Sequence, residues 1–166
     1  MKRVSALFLT LLLVLSLAAC GGGDKPGEDA APAPDLGEFF AQLQGSYEGL
    51  DALAPLEGES LDALYPGLSA IETESMLVQE TMMSTANCAV VLITLPAGAS
   101  EEDLQAVKDI LQARMDQQAS GGAWYPESCE TWEKGVIVSA SRSVGMFVYP
   151  EEAQAMADEF TAAFGG

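Results

Sequence analysis

The stretch CAVVLITL occupies residues 88–95 and lies between Asn87 and Pro96. It is a nearly continuous apolar run that is rich in valine, leucine and isoleucine, which is typical of a strand covered on one or both faces. The run therefore predicts the central strand of a sheet, and the rest of the domain is expected to pack around it.

The residues that follow this strand predict four further elements. Ser100 and Asp103 form a capping pair that begins a helix, and Gly121-Gly122 ends it. Two apolar segments, Val136–Ala140 and Val144–Tyr149, are close enough to form a hairpin. Pro150 then opens a terminal helix that continues to Phe164.

The residues before the central strand predict a helix, a helical turn and a strand. Asp35 caps an amphipathic helix whose pattern stops at Pro55, a helical turn covers Ser60–Tyr65, and residues 70–80 form a poorly alternating strand. From residue 70 the order is ββαββα. This order predicts an α+β fold, with a small antiparallel sheet of about four strands, helices packed on one face and an N-terminal helix before them.

The first twenty residues have the pattern of an export signal. Lys2 and Arg3 precede an apolar stretch from Val4 to Leu17, and the segment closes with Leu-Ala-Ala-Cys20 before three glycines. This pattern resembles a bacterial lipoprotein signal with its lipobox, whereas a transmembrane anchor would need a longer apolar run. The resemblance implies cleavage after residue 19 and a diacylglyceryl thioether on Cys20. A lipid-anchored protein on the outer face of the cytoplasmic membrane is therefore expected.

The predicted mature chain has three parts and a strongly acidic balance. Residues 1–19 are the signal, residues 20–34 are the lipidated cysteine and a flexible glycine- and proline-rich tether, and residues 35–166 form a single α+β domain. Five of the 7 basic residues and all 25 acidic residues follow residue 19, which gives a net charge of −20. Nucleic acid is thereby disfavoured as a partner, because its recognition requires cations that neutralise phosphates.

Short motifs of the domain resemble a group of Gram-positive bacterial lipoproteins that share a C-terminal domain of unknown function. The likeness covers roughly residues 60–164 and includes the final hairpin and helix. Its motifs are Leu64-Tyr65, Val90-Val91, Arg114-x-x-Gln117 and Tyr125-Pro126. The resemblance implies no catalytic residue.

The residues on which many enzymes depend for catalysis are missing from the sequence. With no histidine, the chain cannot form a Ser-His-Asp or Cys-His pair, and no phosphate-binding glycine loop is present. The acidic runs Glu101–Asp103 and Glu151-Glu152 are interpreted as helix starts and not as metal ligands. No catalytic residue, metal or cofactor is predicted, although a pair of carboxylates for glycoside cleavage stays open.

Two cysteines remain after Cys20. Cys88 and Cys129 form an even pair in an exported domain, so they are consistent with a disulfide and equally with two reduced, buried thiols.

Arg114 has a placement that an ordinary surface residue would not have. It lies on the apolar arc of its helix, between Val107 and Ile110, so its charge needs a partner. The favoured interpretation is an internal salt bridge to one of three acidic residues on the neighbouring strand, Glu72, Glu74 or Glu80.

The alternative for this region is a binding site. Arg114 and Gln118 would then form a pocket or a partner-binding patch with aromatic residues of the loop after the helix, namely Trp124, Tyr125 and Trp132. The expected function is a non-catalytic binding or interaction module at the cell surface, with an envelope protein or a small ligand as partner. A receptor for small ligands or cell-wall fragments is the alternative, and a carboxylate-based envelope hydrolase ranks below it.

Overall fold

The computed structural model describes residues 33–81 and 88–165 of the chain. The predicted signal, Cys20 and almost all of the tether lie outside the described residues. The described helices are α1 Leu36–Ser46, α2 Gly58–Leu64, α3 Glu101–Gln117, α4 Pro126–Glu133 and α5 Ala153–Phe164. The strands are β1 Ala54–Pro55, β2 Ser75–Glu80, β3 Ala89–Thr94, β4 Val136–Ala140 and β5 Ser143–Val148.

The five strands form one antiparallel sheet in the order β1-β2-β3-β5-β4. This arrangement confirms the predicted α+β class. The expected central strand is confirmed as well, since β3 lies in the middle of the sheet and every one of its six residues is buried. The fifth strand, β1, has only two residues, Ala54 and Pro55, and is too short to leave a pattern in the sequence.

Helices cover both faces of the sheet, so the prediction that they pack on one face is wrong. On one face, called here the first face, Val91 and Ile93 pack with residues of α2, α3 and α4. On the second face, Val90 and Leu92 pack with residues of α1 and α5. Successive strand residues point to opposite faces. Because β3 and β5 are apolar at almost every position, both faces need a cover.

Several element boundaries differ from the predicted ones, and one helix was not predicted. The first helix, α1, ends at Ser46 and not near Pro55, because Tyr47 is extended and Gly49 has a positive φ of 84°. The strand expected over residues 70–80 begins only at Ser75.

The segment 126–133 was expected to be a loop, but it forms α4, in which Pro126 is the first helical residue after Tyr125. Proline is well suited to that first position, because its missing N–H is not needed there. At the end of the chain α5 begins at Ala153, since Pro150–Glu152 form a turn in which Glu151 has a positive φ of 69°.

No helix in residues 33–81 and 88–165 is both long and apolar enough to cross a membrane.

Candidate binding site

Arg114 lies near the end of α3 and faces the sheet. The helix begins with a capping box in which the Ser100 and Asp103 side chains each bond the other residue's backbone N–H. Its buried side carries Val107, Leu111, Arg114 and Met115. Only 6% of Arg114 is exposed, so the charge predicted on the apolar arc is indeed buried.

The internal salt bridge expected for Arg114 is present, and its partner is Glu80 of β2. The other Glu80 oxygen accepts a hydrogen bond of 2.9 Å from the phenol of Tyr65. Arg114 also donates to the Gln117 amide oxygen at 3.2 Å, and its guanidinium carbon lies 5.4 Å from the centroid of the Trp132 ring. We call Arg114, Glu80, Tyr65 and Trp132 the buried polar cluster; Gln117 is exposed and contacts the cluster from its edge.

The electrostatics of the buried polar cluster follow from its burial. Tyr65 is fully buried, and this burial, followed by the nearby Glu80 carboxylate, raises the pKa of its phenol well above 10. The Arg114 Nε is a buried side-chain nitrogen with no hydrogen-bond partner in the part of the chain that the structure describes. The cluster therefore ties α2, β2, α3 and α4 together on the first face, with Glu80 and Arg114 stabilising each other's charge.

Gln117 and Tyr65 were named in sequence motifs, but their contacts with the ion pair were not predicted. Gln117 is three residues from Arg114, a spacing at which side chains on a helix meet, so this contact could have been found from the sequence. Tyr65 follows a short helix, α2, and its contact with Glu80 depends on how that helix lies against β2. No spacing rule gives that placement.

The residues of the predicted binding site are not brought together into one pocket. Arg114 and Trp132 belong to the buried polar cluster, and Gln118 is half-buried at the end of α3. In contrast, Trp124 exposes 86% of its surface and Tyr125 exposes 47%. We call Trp124 and Tyr125 the aromatic patch.

The aromatic patch lies on a backbone that several hydrogen bonds hold. Before it, Gln118–Gly122 form a π-helical turn in which Gly121 has a φ of 107°, a value that favours glycine. The Ala123 N–H donates to the Gln118 carbonyl at 3.2 Å, and the Ala123 carbonyl accepts from the Cys129 thiol at 3.4 Å. After it, the Tyr125 carbonyl accepts a hydrogen bond of 3.1 Å from the Cys129 N–H in the first turn of α4. The aromatic side chains are therefore presented outward from a supported turn.

Cys88 and Cys129 are free thiols, so the disulfide alternative is not realised. The two side chains lie on different sides of the sheet, because Cys88 packs against the second face and Cys129 lies on α4, which covers the first face. Burial raises the pKa of the Cys88 thiol to about 11. This thiol is therefore neutral near pH 7 and a poor nucleophile.

The other acidic candidates have separate positions. Glu74 pairs with Arg142, and this hydrogen-bonded cation lowers the pKa of the Glu74 carboxyl. Glu72 and Asp103 line a groove of about 570 Å³ beside the start of α3. The Asp103 carboxylate already accepts hydrogen bonds from the Ser100 N–H and hydroxyl, at 2.8 and 2.7 Å. Of the two carboxylates that line the groove, Asp103 is therefore already engaged in capping α3, and Glu72 is the other.

Metal ligands do not cluster in the described ranges, 33–81 and 88–165, where no group of three or more cysteine, aspartate or glutamate side chains could hold an ion.

Comparison of the chain with protein families, with curated proteins and with solved structures finds no match. The resemblance to Gram-positive lipoproteins stays a prediction.

Proposed function

We propose that this chain is a lipid-anchored extracytoplasmic protein whose domain is a non-catalytic binding module for an envelope protein, and that the aromatic patch is its contact surface. The proposal places the protein on the outer face of the cytoplasmic membrane, attached through an acylated Cys20 and a short tether.

The exposure of Trp124 and Tyr125 is the observation that carries this proposal. Large apolar side chains that lie together on a surface mark interaction sites more often than isolated ones do. Tryptophan and tyrosine are also enriched among the residues that dominate binding energy. In the described part of the chain, Met76 is the other large hydrophobic residue that is exposed, at 37%, against 86% for Trp124.

Sequence features support the anchoring part of the proposal. The basic start, the short apolar stretch and the Leu-Ala-Ala-Cys20 segment match the order of a lipoprotein signal. Two acyl chains on one cysteine are enough for stable attachment, whereas a single chain binds a bilayer only marginally.

The interaction is tested by cross-linking the full lipoprotein in intact cells and identifying what is captured by mass spectrometry. We expect one protein in near-equal amount with the natural chain, and its loss in the W124A/Y125A variant. Met76→Ala is the matched control, since it removes an exposed hydrophobic residue elsewhere and should leave the capture unchanged. Capture that survives W124A/Y125A would contradict the patch as the contact surface.

The anchor is tested separately by growing cells with an alkyne-labelled fatty acid. The natural chain should carry the label and fractionate with membranes, and Cys20→Ser should lose both properties. A labelled Cys20→Ser protein would rule out this anchor. If no protein partner is captured, cell-wall fragments and small molecules at the groove beside α3 become the next ligands to test.

A further inference from the structure

The aromatic patch continues into an acidic side of α4. Tyr125 is the residue that immediately precedes this helix, and Glu127, Glu130 and Glu133 follow along it at spacings of three. All three carboxylates are exposed, while Ser128 and Trp132 are buried on the opposite side of the helix. We call the three carboxylates the α4 acidic face. A partner that covers the aromatic patch therefore meets negative charge next to it.

The chain has few cations with which to neutralise that face. Four basic residues lie in the described ranges, and two of them are already engaged, Arg114 with Glu80 and Arg142 with Glu74. Lys108 is half-buried on α3. Lys134 lies 3.8 Å from Glu130 in a highly exposed pair, a kind of contact that adds little stability and yields readily to a competing cation. The charge of this surface is thus left for a partner to balance.

The interior of the domain already contains a cation that contacts both an aromatic ring and a carboxylate. Arg114 lies over the Trp132 ring at 5.4 Å and is paired with Glu80 at the same time. Tryptophan is the aromatic residue that attracts a cation most strongly, and a guanidinium can stack on a ring while its N–H groups bond a carboxylate. Trp124 and the α4 acidic face place the same two groups on the outside.

We propose that the aromatic patch and the α4 acidic face together bind an arginine-rich or lysine-rich segment of the partner protein, with a guanidinium stacked on Trp124 and further cations on the carboxylates. This inference rests on the proposed function and names the chemistry of its partner. The acidic face favours such a segment over an anionic bilayer, whose headgroups it would repel.

The test uses the full-length protein in a nonionic detergent and a fluorescent peptide of alternating arginine and glycine. A peptide with citrulline in place of arginine has almost the same shape without the charge. We expect saturable binding of the arginine peptide, much weaker binding of the citrulline peptide, and a loss of affinity as salt is added. Trp124→Ala should lower the affinity by about fivefold, the loss of one cation–π contact.

Two charge variants separate a specific face from the general acidity of the chain. The E127Q/E130Q/E133Q variant removes the α4 acidic face and should lower the affinity by about tenfold. The E48Q/E57Q/E59Q variant removes three other exposed carboxylates and should leave the affinity nearly unchanged. Equal losses in the two variants, or no effect of Trp124→Ala, would overturn the proposal, because binding would then follow overall charge alone.

A membrane is tested as the rival occupant. In a Trp132→Phe background Trp124 is the sole tryptophan, since the chain has 2. The lipoprotein is placed in vesicles that contain brominated lipids, which quench a tryptophan inserted among them. Unquenched emission is the expected result, and strong quenching would overturn the proposal in favour of the bilayer.

Failure of this inference is distinguishable from failure of the proposed function. If the arginine peptide does not bind but cross-linking in cells still captures a protein that depends on Trp124, the binding module stands and the cationic segment is wrong. If the peptide does not bind and no such protein is captured, both the cationic segment and the proposed function are wrong.

Discussion

Glu80 and Arg114 form an ion pair whose value to the fold depends on both charges being present. Each is at most 7% exposed at its side chain, so either charge alone would be stranded in the interior. Glu80 was one of the three partners that the sequence offered for Arg114. The choice among them could not be made in advance, because it depends on the register of β2 against β3 and on how α3 lies across them.

Removing one member of this pair should be far more damaging than removing the pair. Arg114→Ala or Glu80→Ala should lower the free energy of unfolding by about 3–5 kcal/mol, the cost of an uncompensated buried charge. The variant E80L/R114M/Y65F removes both charges and the phenol together and should recover most of that loss. Urea denaturation measures all of these values.

The control for this prediction is the exposed pair of Lys134 and Glu130, which are 73% and 66% exposed. Lys134→Ala should cost less than about 1 kcal/mol. If Arg114→Ala is as mild as Lys134→Ala, the ion pair does not hold the first face together.

Tyr47 is expected to make the free energy of unfolding depend on pH in the alkaline range. Its phenol donates a hydrogen bond of 2.7 Å to Glu159 and so joins α1 to α5. Burial, followed by the Glu159 carboxylate, raises the pKa of Tyr47 from 10.0 to about 12. A raised pKa means that the folded state holds its proton more tightly than the unfolded state does. This contribution is fully present below pH 10 and is lost between pH 10 and about 12.

We therefore expect the free energy of unfolding to fall as the pH rises through this range. Tyr47→Phe should be less stable near neutral pH, because its hydrogen bond to Glu159 is gone, and its stability should decline less steeply above pH 10. Tyr65 leaves some decline in the variant, since its pKa is raised as well. Urea titrations at several pH values measure the slopes, and equal slopes for the two proteins would show that Tyr47 does not contribute.

Two glycines, Gly145 of β5 and Gly45 of α1, differ in the space around them. Replacing each by alanine is therefore expected to have opposite effects on stability. A Cβ on Gly145 would lie 2.8 Å from the Phe147 ring and 3.3 Å from the Phe160 ring, inside the packed second face. A Cβ on Gly45 of α1 would meet nothing within 4 Å. The β5 site is therefore filled and the α1 site is open.

Gly145→Ala should destabilise the domain by about 1–3 kcal/mol through overpacking. Gly45→Ala should stabilise it by about 0.5–1 kcal/mol, because alanine is the better helix former. Thermal melts of the two variants beside the natural protein measure both signs. A stabilising Gly145→Ala would mean that β5 and α5 are less closely packed than described.

Elements with a strong internal pattern were predictable from the sequence. The strand Val136–Ala140 has the predicted bounds, and β3 differs by one residue at each end from the apolar run 88–95. Two elements were missed for different reasons. β1 is too short to have a period, and the signal that begins α4, a proline in its first turn, was read as part of a loop. Its buried Trp132 was consequently placed in that loop.

At the scale of the whole molecule, the class of the fold could be predicted, but the arrangement of its layers could not. A run of consecutive apolar residues shows that a strand is buried on both sides, as β3 is. It does not show which helix covers which side. That is decided by how α1 and α5 pack together, through contacts such as the edge-on rings of Phe39 and Phe160, whose centroids are 5.8 Å apart.

The candidate binding site was likewise predictable only in part. Arg114 and Trp132 were predicted with the exposed residues because they are close in sequence, yet the turn before α4 sends Trp124 and Tyr125 outward and Trp132 inward. Sequence proximity therefore identified the region, and the helix that was missed decides which of its aromatic residues a partner can touch.

The order of strands in the sheet also determines how the chain folds in time. The pairs β2–β3 and β4–β5 join neighbouring strands of the chain, so each can close quickly as a hairpin. The seam between them, β3–β5, brings Thr94 to Ser143 across a separation of 49 residues. Closing that loop costs entropy before any contact across the seam rewards it. We therefore expect the assembly of the two hairpins at this seam to be the slow step of folding, during which the apolar edges of β3 and β5 would be exposed to aggregation.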